Sequence, residues 1–222
     1  MRPLIITGTD TDVGKTWASL ALMRQQQNYR QVIAMKPIAS GCEQTAKGLR
    51  NQDALLLQQH SSILCDYHDI NPYSFSPPVS PHFAAEQSGQ QIDLNIIEQH
   101  YQQLQNQADL VIIEGIGGWT VPFNPQQSLQ DLALQLNAGV ILVVGLRLGC
   151  INHAQLTVSA MLNAGVKFVG WIANHIDPNF NASDSFSYLK QKINLPCLGY
   201  LPFQTKPLSS AIIEKLAHKI KI

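Results

Sequence analysis

The chain has 222 residues, of which 45% are hydrophobic and 14% charged, and its 15 basic residues balance 15 acidic ones. This composition indicates one compact domain with a large core, expected over residues 1–222, and zero net charge argues against nucleic acid or an anionic membrane as partner. Four scattered cysteines without a Cys-x-x-Cys pair and seven histidines without ligand spacing indicate reduced thiols and no zinc site.

Short apolar runs alternate with stretches of helical periodicity along the chain. The runs begin, in chain order, at Leu4, Val32, Leu110, Val140 and Phe168. They are rich in β-branched residues and lack polar alternation, as strands buried on both faces do. Helices are predicted between them over Lys15–Gln26, Leu94–Gln105, Leu129–Leu136 and Asn152–Asn163. This alternation predicts a single-domain, doubly wound α/β fold with a mainly parallel sheet and helices on both faces.

The amino-terminal residues MRPLIITGTD enter a predicted strand at once, which leaves no room for a signal peptide. No apolar run is long enough to cross a bilayer. We expect a soluble, cytoplasmic protein.

The stretch GTDTDVGKT, residues 8–16, lies between the first predicted strand and the first predicted helix. Gly-Lys-Thr in this context is typical of a loop that binds nucleotide phosphates, although five residues separate Gly8 from Gly14 where the usual pattern has four. Glycines let backbone N–H groups close on phosphate oxygens, and the helix dipole favours them. We expect Lys15 to reach the β- and γ-phosphates and the Thr16 hydroxyl to bind Mg²⁺. The alternative is an ordinary strand–helix turn with a surface lysine.

Charged residues stand at the carboxyl ends of two further predicted strands. Glu114 ends the strand in ADLVIIEGIGG, and Lys36 ends the second strand, before a proline. Ligands of open α/β sheets bind at this edge, so Glu114 suits Mg²⁺ and Lys36 suits a phosphoryl group or an anionic substrate. A helix cap and a solvated lysine are the respective alternatives. On the residues alone, Asp53 in RNQDALLLQQ is interpreted as the N-cap of a short helix.

Taken together, several segments resemble the dethiobiotin synthetase family, in that family's order. They are GTDTDVGKT, KPIASG, LRNQDA, NPYSFSPPVSPH, VIIEGIGGW, ILVVGLRLGCINHA and GWIAN, with LGYLPF a looser match. The longer phosphate-loop interior is that family's own form. The resemblance implies a phosphate-loop NTPase-type fold and a ligase that uses ATP and Mg²⁺. It would convert 7,8-diaminopelargonate and CO₂ to dethiobiotin, ADP and phosphate, through a carbamate and a carbamic-phosphoric anhydride.

The resemblance also implies roles for residues, including magnesium binding by Asp53. The catalytic residues would be Lys36, Lys15 and Thr11, and the magnesium ligands Thr16, Asp53 and Glu114. The nucleotide would contact Asp12, Val13, Gly14, Lys15, Thr16, Trp17, Asp53, Glu114, Gly115, Ile116, Gly117, Asn174, His175, Pro202, Phe203 and Gln204. The diamine would contact Thr11, Ser40, Gly118 and, from the partner subunit of a homodimer, Gly149, Cys150, Ile151 and Asn152. Asn174 matches the family's adenine-binding asparagine, but His175 follows it where relatives often have an acidic residue.

The main alternative is a nucleotide-dependent dimeric switch ATPase of the partitioning or division-site type. That group usually has an additional lysine early in the loop, and GTDTDVGKT has none before Lys15. Some members carry a carboxyl-terminal membrane helix. In SSAIIEKLAHKIKI, the residues Ile212, Ile213, Leu216 and Ile220 can share one apolar face. A terminal helix docked on its own domain explains this pattern equally well.

Overall fold

The structure is a computed structural model that describes residues 2–205 and 209–221; residues 1, 206–208 and 222 of the predicted domain lie outside it. The strands are β1 (Leu4–Gly8), β2 (Val32–Met35), β3 (Ile38–Ala39), β4 (Glu43–Thr45), β5 (Gly48–Arg50), β6 (Tyr73–Ser74), β7 (Leu110–Glu114), β8 (Gly139–Leu146), β9 (Lys167–His175) and β10 (Cys197–Leu201). The helices are α1 (Lys15–Gln26), α2 (Gln52–His60), α3 (Tyr67–Ile70), α4 (Pro81–Gln87), α5 (Leu94–Gln105), α6 (Leu129–Gln135), α7 (Cys150–Asn163), α8 (Ala182–Lys192) and α9 (Ser210–Ala217).

Within the described residues, a six-stranded sheet runs in the order β10-β9-β8-β1-β7-β2, and its neighbouring strands are parallel. Every residue of β7 and β8 is buried, which explains why these runs lack polar alternation. The strands β2 and β7 lie on one side of β1, and the later strands β8, β9 and β10 lie on its other side. Ligands of open α/β sheets bind where the strand order reverses in this way, outside the carboxyl ends of the strands. The loop after β1 lies at this position.

Apolar clusters cover both faces of the sheet. On one face, Leu20 of α1 and Leu216 of α9 belong to the same cluster as the strand residue Ile141. On the other face, Met161 of α7 and Leu189 of α8 belong to a cluster formed with α5 and α6. The predicted α/β fold with helices on both faces is confirmed.

The apolar face of α9 lies against the protein itself. Ile213, Leu216 and Ile220 are buried in the cluster that includes α1, and Arg24 of α1 forms an ion pair with Glu214 of α9. The side chains that a membrane helix would insert are therefore already covered. Among the helices of residues 2–205 and 209–221, we find none with the length and apolar character needed to cross a bilayer.

Several features differ from the predicted elements. The helix predicted from Asn152 begins at Cys150, because Gly149 adopts a φ of 89° and acts as its N-cap. Strands β3, β4, β5 and β10 and helices α3 and α8 have no counterpart in the prediction. The proline-rich segment NPYSFSPPVSPHF, expected as a loop, contains β6 and the start of α4, whose first residue is Pro81. Proline is favoured at this helical position because no partner is needed for its nitrogen.

Candidate active site

The loop between β1 and α1 is held in place by the end of β9. Gly14, with a φ of 86°, is the N-cap of α1, and Asp12 also has a positive φ, of 57°. A β-carbon on Gly14 would lie 2.0 Å from Nδ2 of Asn174, so glycine is required there on steric as well as conformational grounds. The same Nδ2 donates a hydrogen bond to the Val13 carbonyl, at 2.9 Å. Backbone of this kind at a helix start is suited to binding anions.

The beginning of the loop is attached to the end of β8. The Thr9 N–H donates to the Val143 carbonyl at 3.0 Å, and the Gly145 N–H donates to the Thr9 hydroxyl at 3.4 Å. Asp10 forms an ion pair with Arg147, which follows β8. The loop is thus tied to two strands that lie far from it in sequence.

Lys15 occupies a buried position under the loop. Its Nζ donates to the Asp10 carbonyl at 2.9 Å. Desolvation lowers the pKa of Lys15 to about 8, and the neighbouring Lys36 charge acts in the same direction, while Glu114 opposes both. The lowered pKa indicates that this ammonium lacks sufficient negative charge around it, and a phosphate group would supply that charge.

Four side chains from separate parts of the chain meet at the carboxyl edge of the sheet. Lys36 Nζ lies 2.7 Å from Glu114 Oε1 and 3.4 Å from Asp53 Oδ2. The Thr16 hydroxyl donates to the same Glu114 oxygen at 3.0 Å. Desolvation is the largest influence on Lys36 and opposes its charge, but Glu114 and Asp53 together outweigh it and raise the pKa of the lysine. Lys36 is therefore a buried cation that stays charged at neutral pH.

The backbone of Lys36 is fixed by the segment around α3. Its N–H donates to the Ile70 carbonyl at 2.8 Å, and its carbonyl accepts a hydrogen bond from Nδ2 of the buried Asn71 at 2.7 Å. These contacts hold the end of β2 in one position. The lysine is thus preorganised before any ligand arrives.

Asp53 reaches the cluster from the first turn of α2. The N-cap of that helix is Asn51, whose side chain accepts a hydrogen bond from the Ala54 N–H at 3.1 Å. The interpretation of Asp53 as the N-cap, made from the residues alone, is wrong. Its carboxylate is 43% exposed and remains free to contact a ligand in addition to Lys36.

The oxygen atoms of Thr16, Asp53 and Glu114 fit a magnesium ion. Oε2 of Glu114 is buried and has no hydrogen-bond partner among the described residues. A buried carboxylate oxygen without a partner is unfavourable, and a cation would satisfy it. In the described ranges, no group of three or more His, Cys, Asp and Glu side chains is arranged to hold a metal. The cluster can offer two carboxylates and a hydroxyl, consistent with Mg²⁺, which takes few protein ligands beside phosphate and water.

A cleft of about 910 Å³ opens over this cluster. The predicted site residues that line it are Thr11, Asp12, Gly14, Lys15, Thr16, Trp17, Lys36, Ser40, Asp53, Glu114, Ile116 and Gly117. The hydroxyl oxygen of Ser40 is buried and unpartnered within the described part of the chain, so it is available to a ligand. The residues predicted from four separate motifs therefore share one cavity.

Other residues of the cleft wall were missed by the sequence reasoning. They are Asn51, Leu56, Pro78, Val79, Ser80, Pro81, Phe83 and Val121. Most belong to the proline-rich segment, and Val79 and Phe83 are large apolar side chains that remain 39% and 51% exposed. The signal that could have found them is the proline-rich composition, because prolines hold such a loop in a defined shape.

Apart from the start of α7, the remaining residues predicted to bind the nucleotide or the diamine do not line the cleft. They are Val13, Gly115, Gly118, Asn174, His175, Pro202, Phe203 and Gln204. Gly118 approaches the loop closely, since a β-carbon on it would lie 3.5 Å from the Gly8 carbonyl oxygen. Asn174 contacts the loop at Val13, as described above.

His175 is turned to the opposite face of the sheet from Asn174, as neighbours in a strand are. One ring nitrogen lies 3.0 Å from the Phe180 carbonyl oxygen, and the other lies 3.3 Å from the Tyr200 hydroxyl. Both nitrogens are therefore occupied by the protein. The Phe203 ring lies against this imidazole, with ring centroids 6.1 Å apart.

The start of α7, expected to bind a carboxylate, lies outside the cleft of its own chain. The Cys150 N–H donates to the Arg147 carbonyl at 3.0 Å, which closes a turn around Gly149. In the described residues, the N–H groups of Ile151 and Asn152 have no acceptor. These two groups, and not that of Cys150, are the ones free to bind an anion.

The sheet is parallel, and the glycine-containing loop held by Asn174 lies where the strand order reverses. These features define an α/β protein of the phosphate-loop NTPase type. Solved structures have the same fold. MinD from Aquifex aeolicus matches with a TM-score of 0.58 at 15% identity, over 98% of this chain and 95% of that one. A putative plasmid partition protein from Borrelia burgdorferi B31, bound to AMPPNP, matches with a TM-score of 0.56 at 13% identity, over 97% of this chain and 95% of that one. At such identities the likeness shows the fold alone.

Similarity in sequence is more specific. A family described as an AAA domain matches residues 2–209. The ATP-dependent dethiobiotin synthetase BioD of Xanthomonas oryzae pv. oryzae (strain PXO99A) is 42% identical over 213 residues, covering 95% of each chain. That of Yersinia pestis bv. Antiqua (strain Angola) is 46% identical over 201 residues, covering 89% of this chain and 83% of the relative. The chain belongs to the dethiobiotin synthetase family.

Proposed function

We propose that the protein is a cytoplasmic homodimeric ligase that closes the urea ring of dethiobiotin from 7,8-diaminopelargonate, CO₂ and ATP. The observation that carries the proposal is the buried Lys36 cation, which lies beside a phosphate-type loop and within reach of two carboxylates. Relatives that are 42% and 46% identical to this chain are named ATP-dependent dethiobiotin synthetases.

The reaction has three steps. One amine of the substrate adds to CO₂ and loses a proton, giving a carbamate. A carbamate oxygen then attacks the γ-phosphorus of ATP, and ADP leaves. The second amine attacks the carbonyl carbon of the resulting anhydride and loses a proton, the carbon–oxygen bond breaks, phosphate leaves, and the ring closes. Because an anionic nucleophile approaches an anionic phosphate, alignment and charge neutralisation should supply most of the acceleration.

Two lysines supply the positive charge for this reaction. Lys15 is assigned to the β- and γ-phosphates, and the binding of ATP would restore the charge that desolvation disfavours. Lys36, kept protonated by Glu114 and Asp53, is assigned to the carbamate and the transferring phosphoryl group. Its buried, fixed position means that little reorganisation is needed as charge shifts in the transition state.

Magnesium and the diamine use the remaining polar groups of the cleft. Thr16, Asp53 and Glu114 would hold Mg²⁺, which when bound neutralises phosphate oxygens. Thr11 and Ser40 line the same cleft, and both are assigned to the substrate.

The apolar part of the cleft suits the substrate's hydrocarbon chain. Pro78, Val79, Phe83 and Val121 line the cleft together with Lys36. Covering such side chains with a methylene chain would be favourable, since apolar surface leaves water. The proline-rich segment thus receives a role in substrate binding.

Adenine is assigned to Asn174 and the segment after β10. One N–H of the Asn174 amide is donated to Val13, which leaves its second N–H and its oxygen for the base. Pro202, Phe203 and Gln204 would border the ring, and the Gln204 amide already donates to the Pro202 carbonyl at 2.9 Å. His175 would act on the base only indirectly, through the Phe203 ring.

The homodimer is supported by the surroundings of α7. Leu148 and Leu156 are 87% and 64% exposed, and they flank the free N–H groups of Ile151 and Asn152. A second copy would cover these leucines and present its own cleft to the helix start. The substrate carboxylate would then bind at Ile151 and Asn152 of the partner subunit.

The proposal is tested by ATP turnover with and without 7,8-diaminopelargonate and bicarbonate, with dethiobiotin detected by mass spectrometry. We expect ADP to form only when both are present, in equal amount to dethiobiotin. ATP hydrolysis that is indifferent to the diamine would reject the proposal. In that case, a sedimentation assay with anionic liposomes and ATP tests the switch ATPase alternative.

A further inference from the structure

The Asp10–Arg147 ion pair joins two segments that belong to different active sites of the proposed dimer. Asp10 belongs to the loop assigned to ATP phosphates. Arg147 lies in the turn that begins α7, whose first N–H groups are assigned to the partner's substrate. The side chains of the pair are 43% and 42% exposed, respectively.

Each member of the pair holds backbone in its own segment. Asp10 accepts a hydrogen bond from the Thr11 N–H at 2.8 Å through its second carboxylate oxygen, and its carbonyl accepts one from Lys15 Nζ. The Arg147 carbonyl accepts the Cys150 N–H at 3.0 Å, which closes the turn before α7. One ion pair therefore connects the position of Lys15 to the position of the helix start.

The exposure of the pair argues against a large role in stability. Half-exposed ion pairs contribute little to stability, because water and salt screen them. Arg24 and Glu214 form a comparable ion pair, 41% exposed on each side, between α1 and α9. That pair touches neither the loop nor α7 and provides a matched control.

We propose that Asp10 and Arg147 are positioning residues that couple each subunit's ATP loop to the carboxylate site that the same subunit lends to its partner. This inference rests on the proposed function and on its shared site. If it holds, loss of Arg147 affects two binding events in two different places. ATP binding weakens in the site of the altered chain, and diamine binding weakens in the site of its neighbour.

The first test uses homodimers of Arg147→Gln, Arg147→Lys and Arg24→Gln. We expect Arg147→Gln to raise both the KM for ATP and the KM for the diamine by about two- to fivefold, the range that corresponds to an exposed ion pair. Arg147→Lys should restore most of the loss, and Arg24→Gln should leave both constants at the wild-type value. Thermal unfolding should be similar for Arg147→Gln and Arg24→Gln, so that a folding defect is recognised.

The second test separates the two effects with mixed dimers purified through two different affinity tags. In the first dimer, one chain carries Lys36→Ala and the other carries Arg147→Gln. Its working site has the altered loop and an intact helix start, so only the KM for ATP should rise. In the second dimer, one chain carries both changes and the other is wild type. Its working site has an intact loop and the altered helix start, so only the KM for the diamine should rise.

The outcomes distinguish this inference from the proposed function. Unchanged constants in the Arg147→Gln homodimer, or equal changes in Arg24→Gln, overturn the inference. Both constants rising in the first mixed dimer and neither in the second would overturn the coupling between subunits. A wild-type protein that shows no diamine-dependent turnover rejects the proposed function itself.

Discussion

Lys36 and Glu114 form a buried ion pair at the ends of the adjacent strands β2 and β7, with Nζ 2.7 Å from Oε1. Bringing two such charges out of water is unfavourable, and their attraction often does no more than offset that cost. The pair is therefore better explained by chemistry at the cleft than by stability. Glu114 keeps Lys36 charged, while its second oxygen remains open to a cation.

We predict that Lys36→Ala reduces turnover far more than it weakens ATP binding. Its charge should act mainly on the transferring phosphoryl group, and removal of one such preorganised donor costs about 10²–10³ in kcat. The measurements are steady-state kinetics and calorimetric titration of the variant with an ATP analogue. Equal losses in kcat and in ATP affinity would instead indicate a simple nucleotide-binding lysine.

Asp53→Asn should raise the magnesium concentration required for half-maximal activity, with little change in stability. The carboxylate is 43% exposed and lies 3.4 Å from Lys36, so the ion pair it loses is a weak one. Asn51→Ala is the matched control on the same helix. It removes the N-cap and should cost about 1 kcal/mol of stability, while the magnesium titration stays unchanged. The reverse pattern would return Asp53 to a structural role.

Glu114→Gln should affect both properties at once. The variant loses a proposed magnesium ligand, so the magnesium requirement should rise as for Asp53→Asn. It also leaves the buried Lys36 charge with only the half-exposed Asp53 as a partner, and loss of one member of a buried ion pair typically costs about 3–5 kcal/mol. Urea unfolding with and without magnesium measures the loss of stability, and a magnesium titration of the activity measures the change in requirement. Stability equal to the wild type would contradict the assignment of Glu114 as the main partner of Lys36.

Lys15→Met should abolish turnover but stabilise the nucleotide-free protein at pH 7. The pKa of Lys15 is lowered from 10.5 to about 8 in the folded protein, so below pH 8 the fold carries the full cost of a desolvated ammonium. That cost is about 3 kcal/mol at most, and the variant also loses the hydrogen bond to Asp10, worth about 1 kcal/mol. We expect a net gain of about 1–2 kcal/mol at pH 7.

The pH dependence of this gain follows from the sign of the shift. Between pH 8 and pH 10.5 the unfolded chain binds more protons at Lys15 than the folded protein does, so wild-type stability rises relative to the variant. Urea unfolding of both proteins at pH 7 and at pH 10 tests this. A variant that is less stable at pH 7, or a difference that does not change with pH, would show that Lys15 is not strained by desolvation.

Mixed dimers of Lys36→Ala and Asn152→Asp should recover part of the activity that each homodimer lacks. Asn152→Asp places a negative charge at the helix start and should repel the substrate carboxylate. In the mixed dimer, one site receives both defects and the other receives neither. Dethiobiotin formation is compared with the unmixed variants, and mass spectrometry verifies the dimers. No recovery would favour a site built within a single chain. Asn152→Ser, which adds no charge, serves as the control and should stay active.

The sequence was sufficient to predict the parts of the site that depend on strand ends and on one loop. Lys15, Lys36 and Glu114 could be placed together because carboxyl ends of parallel strands meet at one edge of a sheet. The five strands with β-branched runs were predicted for the same local reason. Strand β10 was missed because CLGYL is short and contains a glycine that weakens the pattern.

Other features depend on distances in space that no local pattern encodes. The neighbours Asn51 and Asp53 are both good N-cap residues, and only the folded chain shows which of them caps α2. Asn174 and His175 are adjacent in sequence but serve opposite faces of the sheet. The pairing of Asp10 with Arg147 joins residues whose sequence context gives no sign of contact.

The contact of Asn174 with the loop at Val13 and Gly14 also has a consequence during synthesis of the chain. The loop is synthesised before β9, and the side chain that fixes it in place is 161 residues further along the chain. A nascent chain from which β9 has not yet emerged therefore contains the loop but lacks the hydrogen bond from Asn174 that holds it. Under the proposed function, tight nucleotide binding would require a chain synthesised past Asn174, and shorter translation products should compete poorly for ATP.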